Sequence, residues 1–292
     1  MIQLAEQDKR ISKSLLCKLF GVMKSSYYYG LRPKSISLDT VKTKALIRQI
    51  FNDSKQSAGA RSIIAILMNE HNIELSRYMV SKLMSSMGLK SCQLKTHKYK
   101  HADEVHKTHH NILNRNFSPS APNQVWTGDV TYIRIKGGWC YLAVVLDLYA
   151  RRVVGFAVSD SPDSILTAKA LQMAYQTRLQ PSAVLFHSDQ GTHYTSKTFA
   201  ESVASCEGMT QSMSRRGNCW DNAPTERFFR SFKTEWMPKS GYENIAEAKS
   251  AMIDYIWGYY QTVRPHTFNN YLTPLEKEKR YFNQNLLSGV LN

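Results

Sequence analysis

The chain has 292 residues, 42% apolar and 11% aromatic, enough to bury a sizeable core and one or two smaller ones, which excludes a disordered tail. A net charge of +15 favours a polyanionic partner, and the longest apolar runs, such as CYLAVVL at 140–146, fall far short of a membrane span. No signal peptide is recognisable, and the five cysteines (17, 92, 140, 206, 219) form neither a CxxC pair nor a dense framework, as expected for a reducing cytoplasm.

The charge is unevenly spread. Residues 1–120 carry 20 Lys and Arg against 8 Asp and Glu, whereas 121–292 carry 18 against 15. A basic N-terminal part ahead of a nearly neutral remainder reads as a polyanion-binding arm joined to something else. Within that arm, SKSLLCKLFGVMKSSYYYGLRP (12–33) predicts two short helices. Leu15, Leu16, Leu19 and Phe20 would form one apolar face, Gly21 the turn, and Ser25 or Ser26 the cap of the second helix. ARSIIAILMNEHN (60–72) places Ile63, Ile64, Leu67 and Met68 on one face. ELSRYMVSKLMSSMGLKS (74–91) starts at an N-cap, Ser76, runs through Val80, Leu83, Met84 and Met87, and stops at Gly88. As a DNA-reading pair, its second helix would present Ser76, Arg77, Tyr78 and Lys82 to a groove. Residues 90–118 lack periodicity and read as a basic linker; Cys92, His97, His101, His106, His109 and His110 lack the spacing of a closed zinc site.

From Trp126 the texture changes. WTGDVTYIRI, WCYLAVVLDLY and RVVGFAVSD are rich in β-branched and aromatic residues, and Gly137-Gly138 separates the first two, predicting a run of antiparallel strands. SPDSILTAKALQMAYQTR (161–178) predicts a helix facing inward with Ile165, Ala168, Leu171, Met173 and Ala174. SAVLFHSD (182–189) reads as a buried strand leaving the sheet, followed by a helix near 195–205 and another short strand. The order is that of a mixed α/β fold.

Three acids stand out in that order: Asp129 early in the first strand, Asp189 at the end of the fourth, and Glu226 in the first turns of a later helix. If they converge, they repel unless divalent cations neutralise them, and hard carboxylate oxygens suit Mg²⁺ or Mn²⁺. Two such ions about 4 Å apart serve phosphoryl transfer. Each acid has an ordinary alternative: Asp189 as a turn former, Asp129 as a loop cap, and Glu226 as the ion-pair partner of Arg230 four residues on. Asp221 is a further candidate ligand, although DNAP reads more naturally as a helix start.

WTGDVTYI, HSDQGTHYTS (187–196) and SMSRRGNCWDNAPTERFFRSFKTE (212–235) together resemble bacterial insertion-sequence transposases with a retroviral-integrase-like DDE core. GYYQTVRPH (258–266) and LTPLEKEKRY (272–281) are similar to the C-terminal part of the same proteins, and GARSIIAIL with SRYMVSKLM to their helix-turn-helix. The resemblance implies an RNase H-like core, a mixed five-stranded sheet with flanking helices, preceded by small all-α helix-turn-helix segments. It implies the metal-binding triad Asp129, Asp189 and Glu226, with Mg²⁺ (or Mn²⁺ as substitute), two ions in all. It also implies cleavage of the element's ends by water, transesterification by the freed 3′ hydroxyl, and a circular intermediate. The partners expected are terminal-repeat and target DNA, further copies of the chain on DNA, and the product of an upstream reading frame, without which the isolated chain would bind element ends weakly.

The boundaries expected on this basis are a partial helical segment at 1–40, a helix-turn-helix domain at 41–92, the linker at 93–120, the catalytic core at 121–238 and a C-terminal helical extension at 239–292. Two departures from the family pattern are visible: one extra residue between Asp189 and Glu226, and Gly128 where many relatives carry a larger residue. If 222–236 is helical, Phe228, Phe229, Phe232 and Trp236 form its buried stripe, while Glu226, Arg230 and Lys233 share another face. Lys233 would lie near the DNA backbone, as the matching family lysine does. Arg215, Arg216 and Asn218 would hold phosphates or flanking bases from the preceding loop. His187 would orient a water or phosphate or be structural; Asn222 would cap a helix or contact DNA; Trp220 would stack on a flipped base or pack. The rival readings are a DNA-binding regulator that has lost its chemistry and a plain RNase H-like nuclease.

Overall fold

A computed structural model describes residues 12–31, 38–92, 109–216 and 218–287. Most of the expected linker, with His97, His101 and His106, lies outside them. The chain divides into two compact units, 1–45 and 46–292. In the first, α1 (Lys13–Leu19) starts at Ser12, whose hydroxyl accepts from the Leu15 amide at 3.2 Å, and α2 spans Lys24–Leu31. Leu16 and Cys17 are the buried residues of α1, while Leu15, Leu19 and Phe20 are exposed, so the expected face is not the one that packs. Two turns of helix fix its phase only loosely. Because α2 begins at Lys24, Ser25 and Ser26 lie inside its first turn rather than at its cap.

Helix α3 (Leu38–Asp53) runs across the boundary between the units. In the second unit its Ile47, Ile50 and Phe51 share a core with α4 (Ala60–His71) and α5 (Arg77–Ser86). Ser76 caps α5 by accepting from the Met79 amide at 3.2 Å, and Gly88, at φ +69°, supplies the left-handed step past its end. Ile63, Leu67, Val80, Leu83 and Met84 are buried as expected; Ile66 is buried too, and Met68 is exposed.

The larger body is a five-stranded sheet in the order β3-β2-β1-β4-β5. β1 (Val125–Ile135), β2 (Gly138–Asp147) and β3 (Arg152–Ser159) run antiparallel, and β4 (Leu185–Ser188) and β5 (Thr210–Met213) continue parallel from β1. Alternation along β2 divides two cores: Leu142, Val144 and Leu146 face one, Ala143 and Val145 the other. The second is covered by α6 (Ser164–Thr177), α7 (Thr192–Thr195) and α8 (Lys197–Ala204). Asp163 caps α6, so its inward face is Leu166, Ala170, Leu171, Ala174 and Tyr175; Ile165, expected inside, is exposed. The phase is set at Gly155, where a Cβ would stand 2.3 Å from the Ala170 carbonyl oxygen, so the helix lies almost on the strand.

The first core is covered by α9 (Ala223–Glu235), α10 (Ile245–Ile253) and a π-helical segment, Asp254–Tyr260. Phe228 meets Tyr260 with ring centres 4.8 Å apart, Phe232 meets Tyr255 at 5.1 Å, and Trp236 stacks on Tyr259 at 5.1 Å. Arg264 grips Glu235 through two bonds, 2.7 and 2.6 Å. The C-terminal part therefore holds α9 rigidly from behind.

Helix α11 (Pro274–Leu287) docks through Glu278, which is 2% exposed and pairs with Arg152 at 3.0 Å and with Arg178. Arg178 also lies 3.9 Å from Asp147, whose carboxyl burial pushes up to about 6. Glu278→Ala leaves Arg152 without its carboxylate and Arg178 with only the more distant Asp147, so a loss of about 3–5 kcal/mol in urea unfolding is expected.

Candidate active site

Asp129 and Asp189 are brought together by strand pairing. β1 and β4 are parallel, with Thr127 opposite His187, and continuing that register by two residues sets Asp129 level with Asp189. The β1–β4 pairing ends at Thr127 and His187, so Asp189 follows the carboxyl end of β4 while Asp129 lies in the part of β1 that continues beside β2 alone. Asp129 Oδ1 accepts from the Val130 amide at 2.7 Å, and Asp189 Oδ1 from the Gly191 amide at 3.0 Å.

Glu226 is placed by a short buried network. Asn222 Nδ2 donates to the Gly128 carbonyl at 3.1 Å, and Asn222 Oδ1 accepts from the Thr225 hydroxyl at 3.0 Å. That leaves the Thr127 hydroxyl to donate to Thr225, at 2.6 Å. The first turn of α9 is thus tied to β1 at 127 and 128, next to Asp129 on one side and Glu226 on the other. Pro224 starts the helix with a preset φ, and Glu226 in its first turn and Lys233 in its last both suit the helix dipole. Asn222 makes no side-chain cap on the helix.

A cleft of about 880 Å³ opens over this end of the sheet, lined by Asp129, Tyr132, Glu226, Arg230, Lys233 and Lys239 among others. Burial, then the Asp189 charge, and further the Glu226 charge push the Asp129 carboxyl well above its ordinary value, against the Val130 amide and Lys233, which pull it down. Burial lowers Lys233, partly offset by Asp129. The donor set is all carboxylate at this point, which fits a hard divalent cation rather than zinc or copper. Among the described residues no three His, Cys, Asp or Glu side chains are already drawn into metal-binding geometry.

Two residues that the sequence did not single out stand behind the acids. Tyr194 is buried, and its hydroxyl lies 3.0 Å from the point a Cβ on Gly128 would occupy, while Phe186 Cζ lies 2.5 Å from it. This explains glycine at 128: the space is taken by two rings. Burial and the charges of Asp129 and Asp189 push the Tyr194 hydroxyl well up. His193 Nε2 and Asp189 Oδ1 both approach one point, the Cβ position of Gly191, at 2.9 and 3.0 Å, and His193 Nε2 is buried without a hydrogen-bond partner among the described residues. The signal was present in HSDQGTHYTS, but a tyrosine and a histidine one turn past Asp189 have no periodic signature.

His187 is tied to β5 and the residue that follows it. It is fully buried, with Nδ1 2.9 Å from the Ser212 hydroxyl and Nε2 3.2 Å from that of Ser214, and burial lowers it to about 4. Its folded value lies below its unfolded one, so stability is complete above pH 6.5 and falls by about 3 kcal/mol as the pH drops to 4. Urea unfolding at pH 7 and pH 4.5 should show this share of the acid sensitivity vanish in His187→Asn.

Asp221, fully buried, is committed elsewhere than to the cleft. It accepts from Arg115 Nε at 2.6 Å, from Arg215 Nε and Nη2 at 3.0 Å each, and from Asn111 at 2.9 Å. Burial opposes its charge, but the bonds from Arg215 and Arg115 prevail and hold it well below the usual carboxylate range. Arg215 therefore anchors its own loop, and Asn218 accepts from Arg115 at 2.9 Å. Arg216 and Trp220 are exposed, as are Arg77 and Lys82 on α5, where the Lys82 ammonium lies 5.8 Å from the Tyr78 ring centre. The Cys92 thiol donates to the Gln56 carbonyl, and no helix among the described residues is long and apolar enough to cross a membrane.

A mixed sheet of this order, with Asp129 and Asp189 just past the last β1–β4 pair and Glu226 on the helix tied to β1, is an RNase H-like core, here joined to a helix-turn-helix. Residues 119–219 and 207–274 match two families each described as integrase core domain, and 39–97 match an HTH-like domain. The transposase for insertion sequence element IS904 of Lactococcus lactis subsp. lactis (strain IL1403) is 35% identical over 251 residues, 85% of this chain and 98% of that protein. The putative transposase InsK for insertion sequence element IS150 of Escherichia coli (strain K12) is 31% identical over 276 residues, 94% and 95% respectively. Among solved structures, the HTLV-2 integrase catalytic core domain in complex with magnesium (dimeric form) aligns at 18% identity and TM-score 0.39, over 55% of this chain and 98% of that one. The chain belongs to the insertion-sequence transposases that carry an integrase core domain.

Proposed function

We propose that the chain cuts and joins DNA at the ends of its own element by metal-dependent phosphoryl transfer, with Asp129, Asp189 and Glu226 as the catalytic acids. What supports this reading is that Asp129 and Asp189 each lie two residues past the last β1–β4 pair, Thr127 with His187, beside an α9 tied to β1 next to Glu226, and that burial, then the charges of Asp189 and Glu226, raise Asp129. These three carboxylates would hold Mg²⁺ or Mn²⁺, and a pair of such ions, when bound, stabilises charge developing on the phosphate oxygens and favours ionisation of attacking water. The chain's own groups then divide the remaining work. Lys233 and Arg230, in the same cleft, hold the phosphate backbone across the acids. The Asn222–Thr225–Thr127 chain keeps α9 in register with β1, and the aromatic packing behind α9 resists its displacement. Arg77 and Lys82 on α5, with Arg216, supply outlying DNA contacts. Two element ends call for more than one copy of the chain.

The test is a supercoiled plasmid carrying the element's ends, incubated in Mn²⁺ with the isolated chain and with the product fused to the upstream frame. Nicks at the ends with 3′ hydroxyls, followed by joined products, are expected. Binding to the ends without either product from both forms would leave the DNA-binding regulator as the surviving reading.

A further inference from the structure

The β1–β2 hairpin presents two large aromatic side chains that neither core uses. Tyr132 and Trp139 meet edge to face with ring centres 5.1 Å apart, and they are 58% and 50% exposed. Tyr132 is three residues beyond Asp129 on the same strand and lines the same cleft as Asp129 and Glu226. The Lys233 ammonium stands over its ring, 4.3 Å from the centre. One cleft therefore combines acids, cations suited to phosphate (Arg230, Lys233 and Lys239) and an aromatic wall. Cations alone suffice for a duplex backbone; an exposed ring in the same cleft adds a surface on which an unpaired base can stack, which a paired base inside a duplex cannot do.

Resting on the function proposed above, we infer that Tyr132, braced edge-on by Trp139, is a stacking platform for a nucleobase released from the duplex beside the scissile phosphate. In the DNA-free chain the Lys233 ammonium occupies the face of Tyr132 where that base would lie. Its flexible stem lets it move to the incoming phosphate, clearing the ring for the base. A stacking platform reads no base edge, so the site accepts any of the four bases at this position.

The probe is a duplex of the element's end with one unpaired nucleotide beside the scissile phosphate, carrying either a base or an abasic sugar. Binding is measured by fluorescence anisotropy in Ca²⁺, so that no cleavage intervenes. The parent should bind the base-bearing end about tenfold more tightly than the abasic one. Tyr132→Phe should keep that preference, and Tyr132→Ala with Trp139→Ala should lose it while binding the abasic end as the parent does. Both side chains are largely exposed, and unchanged melting of the variants confirms their fold. Equal affinity of the parent for the two ends overturns the platform. Cleavage of the same ends in Mn²⁺ is read separately: a parent that prefers the base yet cuts nothing keeps the platform and refutes the chemistry, and the converse refutes the platform alone.

Discussion

Asp189→Asn is expected to abolish both strand cleavage and joining, by at least about a thousandfold, while affinity for the element's ends is unchanged. The amide keeps the size of the side chain and its bond from the Gly191 amide, found at 3.0 Å, but removes the charge that a cation requires. On the proposed function, Asp129→Asn and Glu226→Gln should behave alike, because each removes one of the three carboxylates proposed to hold the cation. Removing one acid from a repelling set also relieves the others, so these variants should be no less stable than the parent in the absence of metal. A melting temperature at or above the parent's, combined with lost chemistry, separates a catalytic role from a structural one. Retention of more than a tenth of the parent's cleavage rate by Asp189→Asn would remove it from the catalytic set.

The second large effect is expected one layer further back. Asn222→Ala removes the bond to the Gly128 carbonyl, and Thr225→Val the hydroxyl bridge to Thr127, so α9 loses its register with β1 while all three acids remain. A misplacement of about 1 Å costs on the order of a hundredfold in rate, and that is the loss expected in turnover at saturating DNA. The Mn²⁺ concentration for half-maximal activity should rise at the same time, which a merely structural defect would not produce. Thr225→Ser keeps the hydroxyl and should restore most of the rate. Each of the two disruptive variants leaves a buried polar group unpaired, so a stability loss of about 1–3 kcal/mol accompanies the effect.

What could be read from the sequence follows from which interactions are local. The β1–β2 hairpin was visible because the turn glycines and β-branched runs are adjacent in the chain, and the Phe228–Phe229–Phe232 stripe because helical period alone sets it. The phase of α6 was not, since a one-residue choice between Ile165 and Leu166 is settled by how closely the helix lies on Gly155. Arg215 looked like a DNA contact because its partner's second arginine, Arg115, is a hundred residues away in sequence. Asn222 reads as a cap or a DNA contact for the same reason: its acceptor is a backbone carbonyl on β1. The three acids are singled out by type and order alone; how near Asp129 comes to Asp189 depends on the β1–β4 register, which only the sheet defines. Tyr194 and His193 escaped notice because what matters about them is distance from Asp189, not spacing along the chain.

The most direct test of the central claim, that Asp129, Asp189 and Glu226 form one cation site, is anomalous diffraction from crystals of the chain soaked in Mn²⁺. Anomalous peaks within ligand distance of all three carboxylates, and lost from crystals of Asp129→Asn, are the predicted result. Manganese bound elsewhere, with these acids unliganded at a concentration that supports cleavage, would contradict it.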